Sequence, residues 1–241
     1  MSNVLPSITP TALSPAGLCE FVGAEARTIL EIGAHDGKDT RRFLNAFPQA
    51  YIHAFEPEPR AIAKFKQRGE HPRLRFYEAA VGAHDGHAVF HASGGDLPPD
   101  ATPAHRALFR EGWDKSGSLR APKKHKDIWP WVTFEKTIEV PVVRLDTWAK
   151  TEGIGDIDLI WADVQGSEGD LIAGGGETLR RTRWLYTEYS DEECFEGQPT
   201  LLQLLDMLPG YSVHARYPTD VLLRNDAFRD IAARRRFGAA L

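Results

Sequence analysis

The feature that most constrains the fold of this chain is a pair of apolar segments that each carry an acidic residue near the end. Residues 28–33 contain Glu31 and lead into a loop with Gly33 and Gly37, and residues 51–56 end in Glu56. An α/β sheet binds a nucleoside with a strand, a glycine turn, a helix and a carboxylate at the tip of the next strand. The sequence therefore predicts such a sheet, with a nucleoside site at the ends of these two strands.

The glycine spacing indicates which nucleoside fits. Dinucleotide sites use G-x-G-x-x-G to seat a pyrophosphate on a helix N-terminus, but here the third glycine is missing and Glu31 would repel a pyrophosphate. S-adenosylmethionine has a positive amino group, a ribose and no phosphate, so we favour it over NAD. Glycine at position 33 would let the backbone pass close to this ligand. The alternative is that Gly33 and Gly37 only form a tight turn after a buried strand.

Ligands of α/β sheets bind beyond the carboxyl ends of the strands, so the residues there are the candidates for cofactor binding. We assign Glu31 to the amino group of the methionine part and Glu56 to the ribose hydroxyls. Gly33, Ala34 and Gly37 are expected to line the turn. Glu78 and Ala79 are expected to flank the adenine, with a plain surface carboxylate as the alternative for Glu78. Two further residues expected close to the cofactor are His35 and Asp163.

Strands alternate with helices along most of the chain, which predicts a mostly parallel sheet with helices on both faces. Segments 211–217 and 220–224 are separated by a short link, so they must pair as an antiparallel hairpin. Such a closing hairpin is associated with methyltransferases of the seven-stranded kind. We expect an N-terminal segment and helix over residues 1–24, and a single domain over 25–241 that contains an irregular insertion at about 94–136.

Composition limits the class of protein and its partners. The formal net charge of −5, from 29 basic and 34 acidic residues, argues against duplex nucleic acid as the main partner. The two cysteines lie far apart and match no metal spacing, which fits a reducing cytoplasm. No apolar run approaches the roughly 20 residues of a membrane span, and the N-terminus shows no signal-peptide pattern. We therefore expect a cytoplasmic protein, and leave open whether it forms a homo-oligomer.

Several segments, in order, resemble the FkbM family of methyltransferases. Residues 158–168 are similar to its D-x-x-K-I-D-x-E-G-x-E block, and residues 140–148, 30–37, 54–57, 79–82 and 116–119 match further segments. The resemblance covers residues 25–190. It implies a Rossmann-like class I fold, S-adenosylmethionine as cofactor, O-methylation of a sugar, glycan or polyketide hydroxyl, and Pro57 among the cofactor-binding residues. Trp161 replaces the usual Lys and Gln165 the usual Glu, which weakens any case for a divalent metal and leaves metal use open.

Methylation of a hydroxyl requires alignment of the acceptor oxygen with the methyl carbon and removal of a proton. Asp163 is the first candidate for the base, because partial burial at a strand end would raise its pKa; its alternative role is an N-cap for the next helix. Glu188 ends the neighbouring strand and is the second candidate. His35 is the third, because histidine titrates near neutrality, although it could simply shield the cofactor. For His53 and His214 we expect structural roles.

The insertion offers candidates for acceptor binding. Trp113, Trp129 and Trp131 could stack on a sugar ring or could pack the insertion onto the body of the protein. The basic tract 120–126 is expected to be a solvated loop, with contact to an anionic group of a substrate as the alternative. We expect the insertion to close over the acceptor.

Two other classes of function remain open from the sequence. The basic tract 120–126 and the arginines at 234–236 could direct a methyltransferase to RNA or protein, although the net negative charge argues against this. A non-catalytic S-adenosylmethionine-binding module is the other alternative, although such a module would not need both Asp163 and Glu188. A dehydrogenase is disfavoured by the glycine spacing.

Overall fold

The computed structural model describes residues 5–97 and 100–228, so the arginines at 234–236 lie outside the described residues. The helices are α1 (Pro15–Val22), α2 (Lys38–Ala46), α3 (Pro59–Gln67), α4 (Pro103–Leu108), α5 (His125–Ile128), α6 (Leu145–Thr151), α7 (Glu168–Gly174), α8 (Gly176–Arg180) and α9 (Leu201–Met207). The strands are β1 (Thr28–Ile32), β2 (Tyr51–Phe55), β3 (Leu74–Tyr77), β4 (Ala80–Val81), β5 (Gly86–Gly95), β6 (Val132–Val143), β7 (Ile157–Ala162), β8 (Thr182–Glu188), β9 (Tyr211–Arg216) and β10 (Asp220–Asn225).

The main sheet has seven strands in the order β3-β2-β1-β7-β8-β10-β9. β1 pairs in parallel with β2 and with β7, and β7 pairs in parallel with β8. β10 runs antiparallel to both of its neighbours, β8 and β9. The expected mostly parallel seven-stranded α/β sheet with a C-terminal antiparallel hairpin strand is confirmed.

Helices cover both faces of this sheet, which explains why its central strands are almost continuously apolar. Ile29 of β1 packs on one face with Leu18 of α1 and Phe43 of α2. Its neighbour Leu30 packs on the other face with residues of α6, α7 and α9. Because side chains alternate along a strand, β1 supplies both cores and is fixed at the centre of the molecule.

Capping interactions mark the starts of two helices. Ser14 accepts a hydrogen bond from the backbone N–H of Gly17, and Pro15 occupies the first turn of α1. Thr200 and Gln203 form a capping box at the start of α9. These side chains satisfy backbone N–H groups that the helix itself leaves unpaired.

A second sheet, formed by β4, β5 and β6, differs from the strands that the sequence predicts. The sequence predicts one strand over residues 74–80, but β3 ends at Tyr77, and Ala80 and Val81 pair instead with Val142 and Val143 of β6. β5 and β6 form a long antiparallel pair from Gly86–Val142 to Gly95–Val132. The irregular stretch is therefore shorter than the expected 94–136, because regular pairing reaches residue 95 from one side and begins again at 132. Within it lie the short helices α4 and α5.

No helix in the described ranges is long and apolar enough to span a membrane.

Candidate active site

A cavity lies at the carboxyl ends of β1, β2 and β7. This is the edge of the sheet at which the sequence predicts the cofactor. The predicted cofactor-binding residues that line it are Glu31, Gly33, Ala34, His35, Glu56, Pro57, Ala79 and Asp163.

Glu56 is held at the tip of β2 by the backbone. Its Oε2 accepts the N–H of His35 at 2.8 Å, and its Oε1 accepts the N–H of Glu58 at 2.9 Å. The side chain is buried, and burial raises the pKa of this carboxyl to about 7, against the opposing effect of the two backbone donors. Each carboxylate oxygen can accept a further hydrogen bond, so Glu56 can bind two adjacent hydroxyls.

Glu31 lies at the end of β1 and is also buried. Thr40 of α2 donates a hydrogen bond of 2.5 Å to its Oε2. Burial raises the pKa of Glu31 well above its usual value, an effect that the hydrogen bond from Thr40 opposes and that the nearby Asp39, Glu56 and Asp36 reinforce. A cationic group entering the cavity would meet an acid that lacks a positive partner among the described residues.

The glycines of the loop act through packing. Gly33 has φ of +90°, and a Cβ there would lie 1.9 Å from the backbone oxygen of Asp163. Gly33 therefore makes room for the chain that leaves β7, and it also lines the cavity, so close approach of the ligand at this position stays a prediction. Gly37 has φ of +73° and stands against the ring of Phe65, and it does not line the cavity.

The position of His35 is fixed by Asp114, which the sequence pattern did not indicate as a site residue. Its backbone is left-handed, with φ of +47°, and its Nε2 lies 2.8 Å from Asp114 Oδ1. Asp114 is buried in the insertion and also accepts a hydrogen bond of 2.5 Å from Lys64 of α3. Burial alone would lower the pKa of His35, but its hydrogen bond with Asp114 and the carboxylate of Asp36, 3.6 Å from Nδ1, outweigh this, so the pKa is raised. His35 therefore connects the glycine loop to the insertion.

Asp163 and Glu188 lie side by side across the amide of Gln165. Its Nε2 donates to Asp163 Oδ1 at 2.7 Å and to Glu188 Oε2 at 2.9 Å. Burial raises the pKa of both carboxyls. Because the two acids are in contact, they titrate as one pair that tends to retain a shared proton.

The backbone supports this arrangement. Gln165 has φ of +52°, and Ser118 Oγ donates a hydrogen bond of 2.6 Å to its carbonyl oxygen. The alternative role of Asp163 as a helix N-cap is not observed, because α7 begins at Glu168 and Ser167 occupies its N-cap position. Asp163 is left to face the cavity.

Glu78 is not brought to the cavity. Its side chain is half exposed and forms an ion pair of 2.6 Å with Lys66 of α3. Strand β3 ends at Tyr77, so the chain turns at this point and only the following Ala79 reaches the cavity wall. The structure thus places Glu78 in the surface position that the sequence left as its alternative.

A second cavity adjoins the first. Trp113, Trp129 and Trp131 of the insertion line it, as does Glu188. Lys115, Asp163 and Gln165 line both cavities. The two cavities therefore meet at Asp163, the first candidate for the base. Glu31 and Glu56 lie on one side of this junction and aromatic side chains on the other.

The basic tract 120–126 is largely neutralised by acids of the protein itself. Arg120 makes two hydrogen bonds to Asp170, of 2.6 and 2.5 Å. Lys123 pairs with Glu193 and Lys124 with Glu192. Arg120, Lys123 and Lys124 thus have acidic partners, and the side chains of the two lysines are still 53% exposed, as expected of a solvated loop.

Other predicted residues have structural surroundings. His53 lies among Tyr77 and Trp148, and burial lowers its pKa to about 4. His214 packs on Phe21 and Trp184. Trp161, in place of the usual Lys, stacks on Tyr186 at 4.5 Å between ring centroids. Within residues 5–97 and 100–228, no three acidic, histidine or cysteine side chains group as a metal site.

The chain is similar in sequence to known methyltransferases. The family model of the methyltransferase FkbM domain matches residues 31–217. The 2-O-methyltransferase NoeI of Sinorhizobium fredii (strain NBRC 101917 / NGR234) is 47% identical over 202 residues, which cover 82% of this chain and 79% of that protein. Among solved structures, cofactor-bound Rv0187 from MTB is 16% identical, with a TM-score of 0.49 over 93% of this chain and 85% of that one.

Proposed function

Because the chain belongs to the FkbM family of S-adenosylmethionine-dependent methyltransferases, we propose that its acceptor is a hydroxyl of a sugar, a glycan or a hydroxylated natural product. The chain is an S-adenosylmethionine-dependent O-methyltransferase. The observation that carries the proposed acceptor is the meeting of two cavities at Asp163 and Gln165, one of them walled by tryptophans. Flat aromatic faces suit the apolar face of a sugar ring.

The donor side follows from the acids of β1 and β2. S-adenosylmethionine supplies an electrophilic methyl group on a positively charged sulfur. Glu56 accepts hydrogen bonds from the ribose hydroxyls, and Glu31 faces the amino group. Both carboxyls have raised pKa values because they are buried, so a cation and two hydroxyl donors would offset the cost of their ionisation. Ala34, His35, Pro57 and Ala79 complete the walls of this cavity.

The acceptor side follows from the pair bridged by Gln165. Asp163 accepts the proton of the attacking hydroxyl, while Glu188 remains protonated beside it. Gln165 acts as a positioning residue, because one amide group fixes both carboxyls. Their location at the junction of the cavities aligns an acceptor oxygen with the donor, which is the main requirement of an in-line displacement.

The same features favour a small-molecule or glycan acceptor over nucleic acid. Arg120, Lys123 and Lys124 are paired with acids and so are not available to neutralise phosphates. The net charge of −5 acts in the same direction. With its two cysteines far apart in sequence, the chain suits a reducing cytoplasm, and its oligomeric state is a separate matter for measurement in solution.

A labelling experiment tests the proposed acceptor. The purified protein is incubated with methyl-labelled S-adenosylmethionine and one of three acceptor sets: methyl glycosides and oligosaccharides, total RNA, or unfolded protein. We expect label only in the carbohydrate set. Label confined to RNA or protein would contradict the proposal. A thermal shift with S-adenosylhomocysteine but no label in any set would favour a non-catalytic binding module.

A further inference from the structure

His125 is a buried titratable residue in the wall of the second cavity, called the acceptor cavity from here on, which Trp113, Trp129 and Trp131 also line. Its side chain lines that cavity, yet the residue is only 3% exposed. The ring centroids of Trp129, Phe134 and Phe195 lie 4.6, 5.2 and 5.2 Å from the imidazole. An aromatic box around one histidine is an unusual way to build a cavity wall, because burial of a polar ring without a partner is costly.

The imidazole has no hydrogen bond to any described residue. Its Nδ1 is fully enclosed and without a partner. Burial lowers the pKa of the ring to about 4, so it is neutral near pH 7 and carries one N–H donor and one acceptor nitrogen. Since buried polar groups normally find partners, the unpaired ring needs an explanation.

The burial of the imidazole also determines which of its two nitrogens can form a hydrogen bond with a ligand. An unpaired buried N–H is rarer in proteins than an unpaired acceptor, so the enclosed Nδ1 is best left as the lone-pair nitrogen. The proton then lies on Nε2, which is the nitrogen left to reach the cavity. The backbone fixes the residue, because its N–H donates to the carbonyl of Cys194 at 3.1 Å and its carbonyl accepts from Trp129 at 2.9 Å.

We propose that His125 determines acceptor specificity by donating a hydrogen bond from Nε2 to a hydroxyl of a sugar that is not the hydroxyl to be methylated. The apolar face of the sugar packs on the tryptophans of the same cavity. This assignment rests on the proposed function, since it names a residue that selects the acceptor within that site. His125 is a specificity-determining residue and takes no part in proton transfer, which belongs to Asp163.

The first test compares the stability and the cofactor affinity of a variant with those of the wild type. His125→Phe keeps a flat ring and removes both nitrogens. If the imidazole is present to bind a ligand, its replacement removes an unpaired buried polar group. The unfolding temperature of His125→Phe should then equal or exceed that of the wild type, because replacing a residue kept for function often stabilises the fold. Affinity for S-adenosylhomocysteine, measured by calorimetry, should be unchanged. A fall in unfolding temperature, together with unchanged acceptor kinetics, would make the residue purely structural and overturn the proposal.

The second test uses acceptors. Methyl glycosides of common hexoses and 6-deoxyhexoses are screened with labelled S-adenosylmethionine, and monodeoxy analogues of the best one are then compared. We expect His125→Phe to raise the KM for the parent glycoside about tenfold, with a smaller effect on kcat, as loss of one hydrogen bond predicts. One deoxy analogue that is poor for the wild type should be no poorer than its parent for the variant.

Two further variants sharpen the result. His125→Gln retains a donor and should recover part of the affinity and of the discrimination. His87→Phe, at an exposed position of β5, should behave like the wild type. If His125→Phe discriminates between the analogues as the wild type does, the role of His125 is wrong while the sugar acceptor stands. If the wild type labels no glycoside, the proposed acceptor class fails and the role of His125 fails with it.

Discussion

At the scale of single residues, burial determines how the acids of the site respond to pH. Burial raises the pKa of Glu56 from 4.5 to about 7. A group with a raised pKa in the folded state stabilises the fold fully below its unfolded pKa, and this contribution is lost as the pH rises through 7. Ribose hydroxyls are hydrogen-bond donors and need the carboxylate form. Cofactor binding should therefore strengthen over the range in which the unliganded protein loses this stabilisation.

Glu56→Ala should weaken binding of S-adenosylhomocysteine about 10- to 100-fold, because two hydrogen bonds to a buried carboxylate are lost. Glu56→Gln should bind more weakly than the wild type and should lose most of the gain in affinity between pH 6 and pH 8. Calorimetry at both pH values measures this. The control is Glu70→Ala, at an exposed position. Wild-type affinity in Glu56→Ala would remove the ribose assignment.

The pair of Asp163 and Glu188 makes a separate prediction about turnover. Asp163→Asn should reduce kcat by about 10²- to 10⁴-fold, the usual contribution of a general base, with little change in cofactor affinity. Glu188→Gln resembles the protonated form of Glu188 and can still donate to Asp163, so it should keep most of the activity. Steady-state kinetics with a labelled acceptor distinguish the two. The reverse pattern would transfer the role of base to Glu188, and full activity in both variants would direct attention to His35.

Some of these residues could be predicted from the sequence and others could not. Glu56 and Asp163 follow apolar strands directly, and Glu31 lies one residue before the end of β1, so local pattern and the geometry of parallel sheets were sufficient to place them. Asp114 has no such signal, because its contacts with His35 and Lys64 join residues that are distant in the chain. Glu78 was misplaced as a cofactor contact because the end of β3 depends on the pairing of β4 with a strand more than fifty residues away.

At the scale of elements, the close approach of β1 and β7 determines where the loops of the site lie. Gly33 makes this approach possible, because a side chain there would meet the backbone oxygen of Asp163 at 1.9 Å. Gly33→Ala should therefore lower the free energy of unfolding by about 3 kcal/mol or more, from backbone strain and overpacking together.

The matched control for this change is Gly69→Ala, where φ is +76° but no atom lies within 4 Å of the added Cβ. It should lose only the cost of the left-handed conformation, about 1–2 kcal/mol. Chemical denaturation of both variants measures the difference. Equal losses would show that the contact between the ends of β1 and β7 is not tight.

The insertion is tied to the body of the protein by the contact of Asp114 with His35 and Lys64. Asp114→Ala should release the segment around α4, so trypsin should cleave faster at the exposed Arg110, and S-adenosylhomocysteine should bind more weakly because His35 loses its partner. Asp127→Ala, an exposed acid of the same insertion, is the control. Wild-type cleavage and affinity in Asp114→Ala would show that Asp114 does not hold the insertion against the donor cavity, the one that Glu31 and Glu56 line.

Elements of local origin were predicted well, and those of distant origin were not. Ser14 with Pro15, and Thr200, mark helix starts within a few residues, and the segments of β2 and β7 are apolar runs with clear ends. The pairing of β5 with β6 joins residues 86–95 with 132–143. At the start of β6, around Val132 and Thr133, apolar and polar side chains alternate too weakly for a strand to be recognised from this segment alone. Such pairings depend on contacts between segments that are distant in the chain. The residue pattern of one segment does not show which other segment it pairs with.

At the scale of the whole molecule, the main sheet brings two cavities together at the end of β7. The donor cavity is built from β1, β2 and the loop after β7, whereas the acceptor cavity adds the insertion and the segment after β8. The meeting point depends on the strand order, in which β7 lies between β1 and β8. The sequence predicted the parallel sheet, the acids at its edge and the tryptophans as candidates for acceptor binding, but it did not show that these tryptophans and Asp163 would line the same cavity.

A crystal structure of the protein with S-adenosylhomocysteine tests the central claim most directly. We expect both ribose hydroxyls to contact Glu56, the amino group to lie towards Glu31, and the sulfur to face Asp163 at the junction of the two cavities. A ligand bound at another edge of the sheet, or in this cavity with its ribose away from Glu56, would contradict the account.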